Sequence, residues 1–563
     1  MITGDILDSV AKFVIEYLYS KEIDTFFGIP GGPIGPLFDG IYRTPGTRLI
    51  ESKHETAAFF EAIGYHKTTG KIPVVLVTAG PGITNSLTGI ASAKALRVPV
   101  LVLCGDTAWE KHDHILLQTG GPEGIDIEKT FAPHTDQIIR HKSPHNVVQE
   151  IANLLNNRSG LAPSISILPL SINNVSIEKP VVSDAVCKPE MHPEINVSIL
   201  EEAASLLKTA TRPLIVVGYG ALFSKTEVLD FINNVEVPFV TTPQAKGLVP
   251  ETHKLSLRHA GLGASQWARE YVRNTPDVVI ALGTDLDDCA IGTTEFIGEN
   301  TKLIHVDINS RVFNRKYKTE IAIHSTIKNF CQEWAKIKYK CSTIYDISEI
   351  KNLSAFDVPD FRKDNSFPIA PHRILSELEA ASPSNVRYVT DIGEHMLFSL
   401  HYLTIKDDNQ FSIDLGLGSM GSGICQAIGM CLGDRRPTIC ICGDGCFQMH
   451  GMEILTAIRH NLPIIFVIFN DARYNMVSHG FNFSFGLNKS PGQTNLIDFE
   501  KIAEALGIRG YRIEQPGQIT PSMIDNLFAN YEPAILDVRM NKNIHIKGAG
   551  RNEVLKQMGE YDG

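Results

Sequence analysis

Short, uninterrupted apolar runs alternate with longer amphipathic stretches along most of this chain of 563 residues. Such runs are typical of strands buried on both faces, and their alternation with helices is typical of parallel sheets. The alternation occurs in three separate stretches, and a chain of this length is too long for a single hydrophobic core. The sequence therefore predicts an α/β protein with three doubly wound parallel-sheet domains. The predicted strands include Asp24–Phe27, Arg48–Glu51, Val74–Val77, Val98–Leu103, Ser164–Leu168, Pro213–Val217, Val237–Thr241, Asp277–Leu282, Lys302–Val306, Val386–Thr390, Thr438–Cys442, Ile464–Phe469 and Ala534–Val538.

Two polar stretches without a helical period separate the three predicted units. The first, Lys179–Glu194, is rich in proline, valine and serine, and the second runs from about Lys340 to Pro368. We interpret both stretches as linkers. The predicted domains are residues 1–178, 195–340 and 369–545, and residues 546–563 form a C-terminal tail.

The composition excludes several classes of function. The formal net charge is −11 and no basic block offsets it, so nucleic acid is not an expected partner. No apolar run is long enough to span a bilayer, and the N-terminus lacks the basic and apolar regions of a signal peptide. The ten cysteines lack paired metal-ligand spacing, which predicts free thiols in a reducing compartment. We therefore expect a cytoplasmic protein that binds neither nucleic acid nor membranes.

A glycine-rich turn opens an apolar helical pattern at Asp414–Met430. Gly416, Gly418 and Gly421 satisfy G-x-G-x-x-G, and Asp444 follows at about the distance of a ribose-binding acid. One interpretation is thus a Rossmann domain for a nicotinamide or flavin dinucleotide. A lone fingerprint of this kind has low specificity, so the surrounding sequence has to support it.

Two aspartates follow neighbouring predicted strands of the third unit. Asp444 lies between two glycines after Thr438–Cys442, and Asp471 follows Ile464–Phe469. Because ligands bind beyond the carboxyl ends of parallel strands, we expect these carboxylates to converge. Mg²⁺ prefers oxygen ligands of this kind together with phosphate oxygens. The alternative is that one aspartate is a turn residue and the other belongs to a helix cap.

Glu55 lies where a predicted strand gives way to an amphipathic helix. Taken alone it is an ordinary first-turn glutamate, because acidic side chains favour helix N-termini. A carboxyl group in a partly apolar pocket can also exchange a proton with a bound ligand. The wider sequence has to decide between these two interpretations.

In order and spacing, several segments resemble thiamine-diphosphate-dependent enzymes of the acetohydroxyacid/acetolactate synthase-like superfamily of 2-oxo acid decarboxylases and carboligases. The resemblance covers nearly the whole chain, which leaves little support for the Rossmann interpretation. The segments are Phe27–Ile41 (FGIPGGPIGPLFDGI), the His-Glu pair at Glu55, Val77–Ile90 (VTAGPGITNSLTGI), Thr241–His253, Ile280–Gly292, Thr390–Ser399 (TDIGEHMLFS), Cys440–Gly445 (CICGDG) and Asn470–Val477 (NDARYNMV).

The resemblance implies a pyrimidine-binding, a middle and a diphosphate-binding domain, in that order. It implies thiamine diphosphate and Mg²⁺ as cofactors. It also implies decarboxylation of a 2-oxo acid, with pyruvate as the expected donor, and transfer of the acyl group to a carbonyl acceptor. A homodimer or homotetramer with the active site at the subunit interface is the implied assembly.

The resemblance also implies roles for individual residues. Glu55 is the implied cofactor activator, Gly418 supplies the carbonyl that accepts the 4′-amino proton, and Met420 lies between the two cofactor rings. The implied metal ligands are Asp444, Asp471 and the main-chain carbonyl of Arg473. The full set of implied cofactor-binding residues is Gly31, Gly32, Gly393, Glu394, His395, Gly418, Met420, Asp444, Gly445, Cys446, Asp471, Arg473 and Met476.

Several positions depart from the resembled pattern. Asp471 replaces the second residue of an Asn-Asn pair, and Glu394 replaces a glutamine. Past Val477, a glutamine and a tryptophan of the family give way to His479 and Gly480, which predicts a more open acceptor pocket. The candidate substrate residues are His112, His114, Gln118 and His479.

The middle domain departs from the pattern at its flavin site. Asp285 and Cys289 stand where the resembled family has arginines that help to hold FAD. The loss of two cations argues against FAD, which stays an open alternative rather than an expected cofactor.

Three other functions stay open at this point. The enzyme could be a simple 2-oxo acid decarboxylase that releases an aldehyde, or a flavin oxidoreductase. Outside the enzymes, the chain could be a degenerate cofactor-binding regulatory subunit.

Overall fold

The computed structural model describes residues 7–108, 116–118, 124–157, 160–183, 194–337, 339, 345–407, 410–486, 492–548, 550, 553 and 556. These residues contain three six-stranded sheets and one two-stranded sheet. Neighbouring strands of the six-stranded sheets run parallel, as in a doubly wound α/β fold. The predicted fold class is therefore confirmed. None of the described helices is both long enough and apolar enough to cross a membrane.

The chain divides into two compact units. The first unit comprises Met1–Glu190, Gly416–Arg435 and His450–Ile464. The second unit comprises Met191–Leu415, Arg436–Met449 and Ile465–Gly563. The predicted domain boundaries stay predictions, although each six-stranded sheet lies within one predicted domain.

The N-terminal sheet has buried central strands and a more exposed edge. The strands of this part of the chain are β1 (Leu7–Ser9), β2 (Thr25–Gly28), β3 (Arg48–Glu51), β4 (Val74–Val77), β5 (Leu101–Asp106), β6 (Gln137–Arg140), β7 (Ser164–Pro169) and β8 (Ser176–Glu178). The helices are α1 (Val10–Ser20), α2 (Gly35–Tyr42), α3 (Glu55–Thr69), α4 (Pro81–Asn85), α5 (Leu87–Ala95), α6 (Ile127–Phe131), α7 (Val147–Asn156) and α8 (Leu170–Asn173). The six-stranded order is β3-β2-β4-β5-β7-β6, and β1 pairs antiparallel with β8. All of β4 and β5 is buried, whereas β6 is half-buried.

The middle sheet belongs to the second unit. Its strands are β9 (Leu214–Val217), β10 (Phe239–Thr241), β11 (Ser256–His259), β12 (Val278–Leu282), β13 (Lys302–Asp307) and β14 (Ile321–His324). The helices are α9 (Val197–Thr209), α10 (Lys225–Val235), α11 (Gln266–Val272), α12 (Asp288–Ile291), α13 (Ile327–Trp334) and, in the following linker, α14 (Ser348–Lys351). The strand order is β11-β10-β9-β12-β13-β14, so the chain reverses direction between β9 and β12.

The C-terminal sheet also belongs to the second unit. Its strands are β15 (Arg387–Thr390), β16 (Gln410–Ile413), β17 (Thr438–Gly443), β18 (Ile464–Phe469), β19 (Arg509–Ile513) and β20 (Ala534–Val538). The helices of this part of the chain are α15 (Pro371–Ala381), α16 (Glu394–Tyr402), α17 (Ser422–Asp434), α18 (Asp444–His450), α19 (Ile454–Arg459), α20 (Asn475–Phe485), α21 (Phe499–Ala505) and α22 (Pro521–Ala529). The strand order is β16-β15-β17-β18-β20-β19, which places β15, β17 and β18 side by side.

Helices α3 and α17 pack at backbone distance within the first unit. A Cβ atom added at Gly64 of α3 would lie 2.3 Å from the carbonyl oxygen of Gln426. A Cβ atom at Gly429 of α17 would lie 1.8 Å from the carbonyl oxygen of Glu61. Both distances are shorter than any real van der Waals contact, so only glycine permits this crossing.

A buried ionic cluster fixes the end of α16 to the middle sheet within the second unit. Lys246 Nζ donates to Glu251 Oε1 at 2.6 Å, and the backbone N–H of Ile405 donates to Glu251 Oε2 at 2.8 Å. Arg258, also buried, donates to the carbonyl oxygen of Leu403 at 2.7 Å. Burial lowers the pKa of Lys246 to about 8, which its ion pair with Glu251 partly counters.

Two carboxyl groups meet in the interior of the first unit. Glu61 of α3 is fully buried, and Ser52 Oγ donates to its Oε2 at 2.5 Å. Glu453 accepts the backbone N–H of Lys53 at 2.8 Å. Burial, followed by the charge of Glu453, raises the pKa of Glu61 well above its usual value. Burial also raises the pKa of Glu453, and hydrogen bonds from Lys53 and Thr456 and with Glu61 only partly counter this.

This pair predicts a pH-dependent stability. A carboxyl whose pKa is raised by folding stabilises the folded state below its unfolded pKa, and that contribution is lost as the pH rises through the folded pKa. We expect Glu61→Gln to weaken the fall of Tm above neutral pH and to raise Tm there by about 2–4 °C, equivalent to ~1 kcal/mol. Differential scanning calorimetry across a pH series measures the effect. Glu201→Gln, at an exposed glutamate of α9, is the control, and an identical pH response of the two variants would contradict the prediction.

Candidate active site

The carboxyl ends of β15, β17 and β18 bring together the polar residues predicted for the third domain. Gly393 and Glu394 follow β15, Asp444 follows β17, and Asp471 follows β18. In an open parallel sheet this edge is where ligands bind. The sheet order therefore places three sequence-predicted segments at one edge of the second unit.

Asp444 is tied to the turn that contains Asp471. Its Oδ1 accepts the N–H of Gly445 at 2.8 Å, and its Oδ2 accepts the hydroxyl of Thr494 at 3.2 Å. Backbone N–H groups of Ala472 and Arg473 also bond its carboxyl and act to lower its pKa. Burial outweighs these bonds, so the pKa of Asp444 is raised overall. The two aspartate motifs thus converge as the sequence predicted.

Asp471 carries a charge that the described side chains do not neutralise. Burial, followed by the charges of Asp444 and Glu394, raises the pKa of Asp471 to about 7. Arg473 is the cation that lowers this pKa, but its guanidinium is occupied by the carbonyl of Lys542 at 2.7 Å and by Asn475. An electron-rich site of this kind fits a divalent cation with hard oxygen ligands.

The turn at Asp471 is held from a second loop. Thr494 donates its N–H to the carbonyl of Ala472 at 2.9 Å, and Tyr474 donates to the carbonyl of Gly492 at 2.8 Å. Ala472 adopts a φ of 56°, a left-handed conformation that a non-glycine residue rarely takes without such support. The turn at Asp471 is therefore held in place by its neighbours.

His395 is packed between two glycines at the start of α16. A Cβ atom on Gly393, where φ is +154°, would lie 2.6 Å from the His395 ring, and one on Gly443 would lie 3.2 Å from its Nδ1. Burial lowers the pKa of His395 to about 3, so the ring is neutral at physiological pH. Its Nε2 is buried and has no partner among the described residues. A bound group would supply the missing partner.

Glu394 faces a histidine of helix α20. Its Oε1 lies 2.7 Å from His479 Nδ1, and its buried Oε2 has no partner among the described side chains and backbone groups. The ring of His479 in turn lies edge-on to that of His545, with the centroids 5.5 Å apart. The contact between Glu394 and His479 was not predicted from the sequence, although each of the two residues was named as a candidate site residue.

Two other predicted cofactor-binding residues of the second unit, Cys446 and Met476, contact the interior of that unit. Cys446 is buried in α18, and its Sγ donates to the carbonyl of Ile392 at 3.0 Å. Burial raises the pKa of the Cys446 thiol well above its usual value, so it is not a reactive thiolate. Met476 is partly buried and packs against the hydrophobic core of the C-terminal sheet.

In the first unit, Glu55 is positioned by the loop and helix around residues 78–85. Glu55 is the first residue of α3, where His54 caps the helix by accepting the N–H of Thr56 at 3.2 Å. Asn85 Nδ2 donates to Glu55 Oε2 at 3.0 Å. A Cβ atom on Gly82 would lie 3.6 Å from Glu55 Oε1, an ordinary van der Waals contact, so Gly82 lies beside this oxygen. The contact of Asn85 with Glu55 was not predicted from the sequence.

Gln118 lies beside the same loop, whereas two other candidate substrate residues cannot be placed. A Cβ atom added at Gly80, where φ is +64°, would lie 2.9 Å from the Cβ of Gln118. Gln118 therefore contacts the loop that also positions Glu55. His112 and His114 lie outside the described residues.

The predicted glycines of the first unit differ in their surroundings. Gly31 faces Thr78, which a Cβ atom would approach to 2.5 Å, whereas Gly32 opens into free space. Gly418 has a φ of +71° and nothing within 4 Å of the Cβ position. Met420 is half-buried on the same turn. A left-handed glycine with an open face allows the backbone to approach a ligand closely.

Three protein-family models match successive parts of the chain, in the order N-terminal, central and C-terminal domain. "Thiamine pyrophosphate enzyme, N-terminal TPP binding domain" matches residues 8–130, the central domain of the same family matches residues 200–334, and its C-terminal TPP binding domain matches residues 391–538. The chain belongs to the thiamine-diphosphate-dependent enzymes. Thiamine diphosphate is accordingly its cofactor.

This thiamine-diphosphate-dependent enzyme is acetolactate-synthase-like over most of its length. It is 29% identical to a probable acetolactate synthase large subunit of Methanocaldococcus jannaschii, over 94% of this chain and 91% of that protein. It is 26% identical to the acetolactate synthase large subunit of Lactococcus lactis subsp. lactis, over 96% and 93% of the two chains. Identity to the Escherichia coli isozyme 3 large subunit is 25%, over 97% and 98%.

The residues present fit a metal-bound diphosphate in the second unit of this thiamine-diphosphate-dependent enzyme. The carboxylates of Asp444 and Asp471 lie close enough for the charge of one to raise the pKa of the other, and His395 Nε2 has no partner among the residues that the structure describes. A divalent cation would neutralise the carboxylates, and phosphate oxygens would complete its coordination.

We expect saturating thiamine diphosphate and Mg²⁺ to raise the Tm of the wild-type enzyme. A ligand at 100 times its Kd adds about 2.7 kcal/mol to the free energy of unfolding. Asp444→Asn should remove most of this shift, because it removes one carboxylate ligand and its bonds to the turn at Asp471. Thermal unfolding with and without the two ligands measures the shift. Asp525→Asn, at an exposed residue of α22, should keep the full shift, and an equal shift in both variants would refute the assignment.

Proposed function

We propose that this enzyme decarboxylates a 2-oxo acid, with pyruvate as the first candidate, and joins the acyl group to a carbonyl acceptor. The observation that carries this proposal is the similarity to acetolactate synthase large subunits over more than nine-tenths of the chain. The three thiamine-enzyme domains agree with it.

Mg²⁺ is the proposed partner of the diphosphate. Asp444, Asp471 and the main-chain carbonyl of Arg473 would hold it. The raised pKa of Asp471 supports this proposal, because a cation would relieve the repulsion from Asp444 and Glu394. Aspartate in place of the family's asparagine adds a carboxylate, so we expect a site that binds the cation strongly.

When bound, thiamine diphosphate supplies the electron sink for the pair of electrons left by CO₂. The chain's own contribution to this chemistry begins at Glu55. Asn85 donates to Oε2 of its carboxyl at 3.0 Å, and Gly82 lies beside Oε1. We propose that Oε1 holds a proton and exchanges it with the aminopyrimidine of the cofactor.

Gly418 and Met420 are proposed to contact the cofactor rings from a preformed turn. The left-handed φ of Gly418 fixes the direction of its carbonyl, and the open space at its Cβ position permits close approach. The half-buried side chain of Met420 would provide an apolar surface against the rings.

The acceptor pocket is proposed to be larger than in the resembled family. Gly480 of α20 replaces a tryptophan, and the neighbouring His479 replaces a glutamine. Removal of a large aromatic side chain leaves room for a bulkier carbonyl compound. An acceptor larger than pyruvate is therefore part of the proposal.

We propose that the middle domain does not bind FAD. The loop after β12 contains Asp285, Asp287 and Asp288 and has no lysine or arginine between residues 283 and 292. Ligand atoms of Asp287, Asp288 and Cys289 all lie within 4.8 Å of one another. Burial, followed by the two other aspartates, raises the pKa of Asp287. A flavin diphosphate would meet concentrated negative charge here, so these residues do not fit it.

We further propose that the enzyme functions as a homodimer or homotetramer. The relatives are named large subunits, which describes proteins that assemble with other subunits.

The first prediction for the activity concerns products. We expect purified protein with pyruvate, Mg²⁺ and thiamine diphosphate to release CO₂ and to form acetolactate or another acyloin. NMR spectroscopy identifies the products. Acetaldehyde as the sole organic product would support a simple decarboxylase instead. Absence of CO₂ with pyruvate and with longer 2-oxo acids would contradict the proposal.

Within the same assay, Glu55→Gln should lower CO₂ release by at least about 100-fold, the usual contribution of a proton-transferring group. Its binding of thiamine diphosphate, measured by calorimetric titration, serves as the control for folding and should persist. Full CO₂ release by this variant would exclude Glu55 as the activating residue.

The FAD proposal has a spectroscopic test. The purified enzyme should show no flavin absorbance band and should gain no activity from added FAD. Incubation with FAD followed by gel filtration should leave the protein colourless, because no cation compensates the diphosphate. A yellow protein fraction with bound flavin would show that the acidic loop does not prevent binding.

A further inference from the structure

Glu394 and His479 form a pair that the thiamine-enzyme assignment does not explain. His479 Nδ1 and Glu394 Oε1 lie 2.7 Å apart, and the two side chains are 20% and 7% exposed. The residues are distant in sequence and come from different helices, α16 and α20. In the resembled pattern both positions are glutamine, so this chain has an acid and a base where the pattern has two amides.

The electrostatics of the site require a donor for Glu394. Glu394 is buried at the start of α16, and its Oε2 has no hydrogen-bond partner among the described residues. A carboxylate in that position is disfavoured unless a hydrogen-bond donor or a cation faces it. His479 of α20 is that donor, and its Nδ1 lies 2.7 Å from Oε1 of the Glu394 carboxylate.

The hydrogen bond fixes the protonation pattern of the imidazole. An ionised carboxylate only accepts hydrogen bonds, so Nδ1 of His479 carries a proton. The other nitrogen, Nε2, is then the atom available to a ligand, and its identity is set by the partner of Nδ1. The edge-on ring of His545 restricts rotation of His479 from another side.

The position of α20 suits contact with a substrate. The helix begins at Asn475, directly after the loop that holds Asp471 and Arg473. His479 lies one turn further along, at the ligand-binding edge of the sheet, and is partly exposed. Gly480 beside it has no side chain.

We propose that His479 is the residue that donates a proton to the carbonyl oxygen of the acceptor, and that Glu394 is the residue that positions it. This inference rests on the carboligation proposed above. When the new carbon–carbon bond forms, the π electrons of the acceptor C=O move to its oxygen. That oxygen takes the Nε2 proton of the doubly protonated His479 ring, while the second proton stays on Nδ1, in its hydrogen bond to Glu394. His479 regains a proton from solvent at its exposed edge.

The test separates bond formation from decarboxylation. Holoenzyme with pyruvate is assayed for CO₂ and for acyloin and aldehyde products. His479→Gln is expected to lower the acyloin formed per CO₂ by at least about tenfold, in favour of aldehyde, because protonation by a positioned side chain contributes 10²–10⁴-fold. CO₂ release itself should change much less. An unchanged product ratio would overturn the proposal.

Glu394→Gln tests the positioning role. It should shift the product ratio in the same direction, and the double variant with His479→Gln should be no worse than His479→Gln alone, because Glu394 acts through His479. Additive losses in the double variant would show that the two residues act independently. Such additivity would refute the positioning role.

Two measurements do not depend on turnover. In ¹⁵N-histidine-labelled enzyme, the Nδ1 resonance of His479 is identified as the one that is missing from the spectrum of His479→Gln. Glu394→Gln should shift this resonance, because a neutral amide replaces the carboxylate acceptor. Thiamine diphosphate affinity is the second measurement, and Glu394→Gln should not bind the cofactor more than about tenfold more tightly. A tightening of more than about tenfold would place the carboxylate against the diphosphate instead, since removal of a like charge would relieve repulsion, and would overturn the proposal.

The chain offers a matched control. His372 Nε2 lies 2.7 Å from Asp364 Oδ2 in the second unit, another buried histidine paired with a carboxylate. Asp364→Asn should move the His372 resonance without altering the product ratio. If the wild-type enzyme releases no CO₂ from any 2-oxo acid, the proposed function and this inference both fail. Normal carboligation with an insensitive His479→Gln defeats the inference alone.

Discussion

The crossing of α3 and α17 sets the geometry of the first unit. Gly64 and Gly429 let the two backbones touch, and any larger side chain at either position would overlap a carbonyl oxygen. Helix pairs of this kind gain dispersion contacts along their whole length and tolerate little adjustment. Glu55 begins α3, while Gly418 and Met420 precede α17, so both groups of proposed cofactor contacts inherit their position from this crossing.

The second unit is organised around unbalanced negative charge. Asp444, Asp471 and Glu394 are brought to one edge by the order of β15, β17 and β18, and burial, followed by the charges of Asp444 and Glu394, raises the pKa of Asp471. The fold tolerates this arrangement through backbone N–H groups, a threonine hydroxyl and His479. Preformed sites of this type are strained without their ligand, and binding relieves that strain.

Sequence patterns identified the interior of each sheet better than its margins. Every strand predicted from an apolar run overlaps an observed strand, and the unpredicted members of the six-stranded sheets, β6, β11, β14, β16 and β19, are all edge strands. Edge strands such as β6 and β19 are only partly buried, so they lack the continuous apolar signal of central strands. The sequence likewise predicted some residues of the candidate site and not others. Motif residues such as Asp444 were predictable, whereas Thr494 and Asn85 were not, because partners distant in sequence are set by tertiary structure alone.

The buried cluster of Lys246, Glu251 and Arg258 limits how this protein can be recombined with its relatives. Each charge is compensated by the others and by the backbone of residues 403–405, so loss of one partner would leave an unpaired buried ion, at a cost of about 3–5 kcal/mol. A chimera that exchanges the middle domain at the linker would separate these groups. A successful exchange therefore has to include residues 403–405, at the end of α16, together with the middle domain.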